Sequence, residues 1–213
     1  MTSLTDVQNT AFMAIGPSRI AALSLLALAQ APAGADSSGA EDVLALSVQR
    51  IRAAHDMLGS GLQGLLDACG YTLPAELEAK RGTCLELLTP LHRAAVQADG
   101  GAALDHVRAV PELGALCLYR LEPAVSAFLK DLVHCLSEAQ QLREAERDEQ
   151  MRATIATAEG VGKNIKFISF NASIEAARIG DMGKGFAVIA TEIRELSGKT
   201  QSLLEEMSGY LKH

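Results

Sequence analysis

The stretch from Asn164 to Thr200, NIKFISFNASIEAARIGDMGKGFAVIATEIRELSGKT, constrains the fold more than any other part of the chain. It contains no proline, and its apolar residues recur at helical spacing on both sides of a glycine-rich segment, Gly180–Gly185 (GDMGKG). Three glycines within that segment free the backbone to take positive φ where a sharp reversal needs it. The stretch is therefore expected to be an αα-hairpin whose tip is residues 180–185.

The first arm carries two apolar stripes. At about 100° per residue, Ile165, Ile168, Ala172, Ala176 and Ile179 fall on one line, with the three-and-four spacing of a left-handed coiled-coil seam. Lys163, Phe167, Phe170, Ile174 and Ala177 fall on the opposite side. Closing a hairpin takes one stripe, so the second must meet something else. That something is either another molecule or the N-terminal part of the same chain.

From Asn171 to Ala190 (NASIEAARIGDMGKGFAVIA), and on through Glu192–Leu196 (EIREL), the sequence resembles the signalling hairpin tip of bacterial methyl-accepting chemotaxis proteins. The resemblance implies a hairpin that dimerises into a four-helix bundle. It also implies dimers that associate as trimers near the tip, mixed with other receptors. The tip in such a protein binds a chemotaxis histidine kinase and its coupling adaptor. Phe167, Phe170, Ile174, Glu175 and Arg178 match the family's dimer-to-dimer contact positions. Asn171, Asp181, Val188 and Glu192 match the positions that face the kinase and adaptor. Ile165, Ile168, Ala172, Ile179, Phe186, Ile189 and Ile193 are the expected dimer core. Two residues depart from the pattern: Asp181 stands where the family usually has glutamate, and Lys163 where it tends to be apolar.

The rest of the chain reads as helical. Apolar residues make up 48% of the 213, aromatics are few and no alternating strand pattern occurs, which suits a Leu/Ala-rich bundle. A formal charge of −7 argues against nucleic acid or an anionic membrane as a partner. Residues 4–30 are expected to form a helix opened by Thr5 and Asp6 and interrupted at Gly16–Pro17. The apolar run after Arg19 imitates a secretion signal but has the wrong flanks. It is also shorter than the about 20 residues of a membrane span, so a buried bundle helix with no membrane span is expected.

A loop is expected over 31–39, then a helix over 40–69 with Val43, Leu46, Val48, Ile51, Ala54, Met57 and Leu58 inward. Its glycines at 59, 61 and 64 mark a close approach, a kink or fraying. A further helix starts at Pro74, is kinked by Pro90 and stops at 99–101. A short helix over 102–110 precedes a long pattern from Glu112, bent locally at Pro123 and continuing through a charged rod at 140–152 into the hairpin.

Cys69, Cys84, Cys117 and Cys135 form no metal-binding spacing and read as free thiols. His55, His92 and His106 make no ligand spacing either. Glu205–Glu206 loosely resemble a methyl-acceptor pattern but lie too near the turn. No catalytic constellation is present in the sequence, and no cofactor is assigned.

The expectation is thus an all-α protein: a helical input bundle at 1–136, then a signalling hairpin at 137–213. The function expected is cytoplasmic, non-enzymatic signal transduction as a homodimer. The alternative is a ligand- or redox-binding helical module that uses the hairpin only to dimerise.

Overall fold

A computed structural model describes residues 3–31, 39–96 and 102–211, with the backbone alone at Ala102. Most of the loop expected at 31–39 and the stop expected at 99–101 lie outside the described residues. The fold is all-α, with no strand among the described residues. It divides into two compact units, Met1–Gln140 and Gln141–His213.

The first unit opens with α1 (Leu4–Ile15). Its cap is Ser3, two residues before the expected Thr5. The Ser3 hydroxyl accepts from the Asp6 amide while the Asp6 carboxylate accepts from the Ser3 amide, a reciprocal capping box. That bonding holds the Asp6 carboxyl below its ordinary value.

The interruption falls where expected: α1 ends at Ile15 and α2 (Pro17–Gln30) begins after Gly16, with Pro17 at its first position, where its missing amide hydrogen costs little. Gly16 itself keeps helical dihedrals (φ −53°, ψ −45°), so the chain hardly changes course. The two helices run on as a 27-residue stretch, Leu4–Gln30, with a mean hydropathy of 1.7 in its most apolar window. By length and composition it is enough to cross a membrane, a test that the core helix of a soluble protein also passes. Within the first unit its Val7, Ala11, Ile15, Ala21, Ala22 and Leu25 are buried in the core.

Next comes α3 (Ala40–Asp56), a π turn (Met57–Gly61) and α4 (Leu62–Ala68). The inward side is Ser47, Ile51, Ala54, Leu58, Leu62 and Leu66; Val43 and Leu46, expected inside, are exposed. The glycines at 59 and 61 lie in the π turn, and its carbonyls are used: the Arg81 guanidinium donates to Leu58 O and, at 3.1 Å, to Gly59 O. Arg81 comes from α5 (Ala75–Val96), which contains Pro90 without ending there.

After α6 (Ala102–Arg108) and the short α7 (Leu113–Ala115), a second π turn (Leu116–Leu121) leads into α8 (Glu122–Ile179). The distortion thus falls just before Pro123 rather than at it. The first part of α8 supplies Val125, Phe128, Leu132 and Leu136 to the core, Phe128 being wholly buried. Polar links hold it there. Arg19 donates to Ser126 at 2.7 Å, Lys80 pairs with Asp131 at 2.8 Å, and Ser137 donates to Gln8 at 3.3 Å.

The second unit is the remainder of α8, a 3-10 turn (Gly180–Gly183) and α9 (Lys184–Tyr210). The charged stretch 140–152 is helical, as its charge spacing predicts, and its residues from 141 on are mostly exposed.

Candidate functional site

The hairpin closes on small residues. Along α8 the residues buried at seven-residue intervals are Ile155, Gly162, Ser169 and Ala176; on the other arm they are Gly183, at the end of the 3-10 turn, and Ala190 and Ser197 of α9. The Ser197 hydroxyl donates to Gly162 O at 2.8 Å, which fixes the register between the arms. At the tip, a Cβ added to Gly183 would stand 2.1 Å from Ala176 O, so only glycine fits. Gly180 supplies the positive φ, 72°. The third tip glycine, Gly185, meets nothing within 4 Å and belongs to α9.

Of the isoleucine stripe, only Ala176 takes part in this closure. Ile165, Ile168 and Ile179 remain exposed, as do Phe186, Ile189 and Ile193 on α9. The sequence reading gave the seam to the bulkiest stripe, whereas close approach of two backbones favours the smallest. Isoleucines lie on one flank of the small-residue seam. Phe167, Phe170 and Ile174 lie on the other and are also exposed.

Residues 129–212 match the family described as the methyl-accepting chemotaxis protein (MCP) signalling domain. The similar proteins agree. The chain is 29% identical over 99 residues to methyl-accepting chemotaxis protein TlpQ of Pseudomonas aeruginosa, covering 46% of this chain and 14% of that one. It is 35% identical over 81 residues to methyl-accepting chemotaxis protein Amb0994 of Paramagnetospirillum magneticum (38% and 17%). It is 32% identical over 102 residues to the biofilm dispersion protein BdlA of P. aeruginosa (47% and 24%). The chain thus spans a quarter or less of the length of these relatives. No solved structure matches.

The stretch that contains the hairpin is thus similar to an MCP signalling domain. Its residues resembling the family's contact positions are at the surface. Val188 and Glu192 line one open groove on α9 with Ala187, Thr191 and Glu195. Asn171 and Asp181 are exposed, and Asp181 pairs with Lys184 across the turn at 2.7 Å. Glu175 and Arg178 pair at 3.7 Å on one helix face. Ile165 and Ile193, from opposite arms of the hairpin, line a shared apolar groove of about 370 Å³ beside the Gly162–Ser197 crossing.

One cluster in the first unit escaped the sequence reading. The rings of His55 (α3) and His92 (α5) stack with centroids 3.9 Å apart and planes within 8°. The Asp56 carboxylate lies beside them, and one ligand atom from each of the three falls within 4.8 Å of the others. Burial, together with the neighbouring His55, holds the His92 imidazole below its ordinary value. The signal was not spacing but face. His55 lies one turn beyond Ile51 and His92 one turn beyond Leu88, each bordering a buried stripe.

Proposed function

We propose that this chain is a chemoreceptor-type signal transducer in which the hairpin, residues 137–213, controls a chemotaxis histidine kinase through its coupling adaptor. Residues 1–136 act as the helical input unit. The hairpin works in the cytoplasm, where its kinase is. Val188, Glu192, Asn171 and Asp181 meet the kinase and adaptor. Ile165, Ile168, Ala172, Ile179, Phe186, Ile189 and Ile193 bury against a second copy. Phe167, Phe170, Ile174, Glu175 and Arg178 meet neighbouring dimers.

The observation that carries this reading is the economy of the seam. Because Gly162, Ser169, Ala176, Gly183, Ala190 and Ser197 close the hairpin, most of the larger apolar side chains near its tip are left outward. Exposed apolar surface on this scale marks an interaction face. Dimerisation alone would use one flank; two flanks fit a dimer that also has further contacts.

The test is co-purification of the chain with the adaptor and kinase of its own organism, followed by a kinase phosphorylation assay. Binding and a changed phosphorylation rate, both lost in Val188→Ala while the helical content is kept, are expected. Absence of binding at concentrations where the chain is dimeric would overturn the proposal.

A further inference from the structure

We propose that His55, Asp56 and His92 form a binding site for a late first-row divalent cation, which cross-links α3 to α5 beside the first π turn. The three residues offer two imidazole nitrogens and one carboxylate oxygen within 4.8 Å of one another. That donor set is the one Zn²⁺, Ni²⁺ and Cu²⁺ prefer, whereas Mg²⁺ and Ca²⁺ take oxygen almost exclusively. Three protein ligands leave a position for water.

The geometry requires a small local adjustment and no movement of a helix. An ion held at about 2.1 Å from each donor lies in the plane of both rings. The stacked imidazoles must therefore turn about their Cβ–Cγ bonds, out of the face-to-face arrangement. Both have room, since the His55 side chain is 25% exposed and His92 is only half-buried. The Asp56 side chain is 71% exposed, and its Oδ1 already lies 4.0 Å from His55 Nδ1, so it completes the set. Arg52, whose charge acts on His92, opposes a cation there and weakens the binding.

The location gives the site a use. His55 and Asp56 are the last residues of α3, and the π turn begins at Met57. The Leu58 and Gly59 carbonyls in that turn accept from Arg81 of α5, the helix that also carries His92. The bound ion ties the same two helices a second time, and π turns recur at functional positions in helices. Metal occupancy would then reach the first unit as a change in how firmly α3 grips α5.

The experiment is a titration of the untagged 213-residue chain with Zn²⁺ and with Ni²⁺ against a chromophoric chelator. One ion per chain is expected, with no competition from Mg²⁺. His55→Ala and His92→Ala should each weaken binding at least about tenfold, and Asp56→Asn by less. His106→Ala and His134→Ala should leave it unchanged. Should the alanine variants lose helicity, Cu²⁺ electron paramagnetic resonance on the unaltered chain decides, with hyperfine coupling to two ring nitrogens expected. Lack of saturable binding, binding that survives in the His55→Ala/His92→Ala double variant, or no imidazole coupling would overturn the proposal. The kinase assay reads a different unit, so neither result decides the other.

Discussion

The Ser197 hydroxyl donates to the Gly162 carbonyl at 2.8 Å, joining the two arms of the hairpin across 35 positions of sequence. The bond is buried, but Gly162 O also lies within an α-helix that supplies its own donor. Ser197→Ala should therefore cost only about 0.5–1 kcal/mol. Hydrogen exchange of the amides flanking both residues measures it. A loss several times larger would mean that the hydroxyl fixes more than one bond.

The tip glycines should behave oppositely. Gly183→Ala drives a methyl into the Ala176 carbonyl and should loosen the turn by at least about 2 kcal/mol. Gly185→Ala meets open space inside α9 and should stabilise it by about 0.5–1 kcal/mol. Exchange protection of residues 176–190 in the two variants, falling in the first and holding or rising in the second, is the expected result.

Acid should weaken the first unit through its ion pairs. Arg81 holds the Glu78 carboxyl below its ordinary 4.5, and Lys80 holds Asp131 below its ordinary 3.8. A depressed native value means that the unfolded chain binds more protons. The stabilisation is complete above the ordinary values and is lost as pH falls through the native ones. The melting temperature should be level down to about pH 5 and fall below about pH 4.5, less steeply in Glu78→Gln. Both pairs are partly exposed, so the slope is modest.

The thiols should divide into two classes. Burial pushes the Cys84 and Cys117 thiols from 9.0 up to about 11, whereas Cys69 and Cys135 are only half-buried. At pH 8 the buried pair has about a hundredfold less thiolate than an ordinary cysteine. Iodoacetamide should label Cys69 and Cys135 in the native chain and all four after denaturation. Mass spectrometry of the labelled peptides gives the answer.

What was legible in the sequence followed from periodicity. The hairpin, its tip and the charged helix over 140–152 are all visible in residue spacing, because a helix writes its period into the chain. The seam was not legible in the same way. Hydrophobic patterning points to isoleucine and phenylalanine, but the arms meet through Gly162, Ser169 and Ala190, which carry almost no hydrophobic signal. The break expected at Gly16–Pro17 is present but shallow: Gly16 keeps helical dihedrals, and proline at the first position of α2 lacks only an amide that no helix bond needs. The His55–Asp56–His92 cluster depends on how α3 packs on α5, a relation between segments that no local spacing encodes.

The π turn at Met57–Gly61 has a consequence for how this chain tolerates changes in length. A π turn holds one residue more than the regular helix around it. Deleting Gly59 would let the backbone heal into an unbroken α-helix with sound hydrogen bonds. The helix beyond would keep its phase, because the residue lost is the one that the wider turn absorbs, and Leu62 and Leu66 would stay in the core. Local geometry would improve, yet the Leu58 and Gly59 carbonyls would enter regular helix bonding and Arg81 would lose the acceptors that tie α5 to the turn. At this point the better helix makes the worse protein.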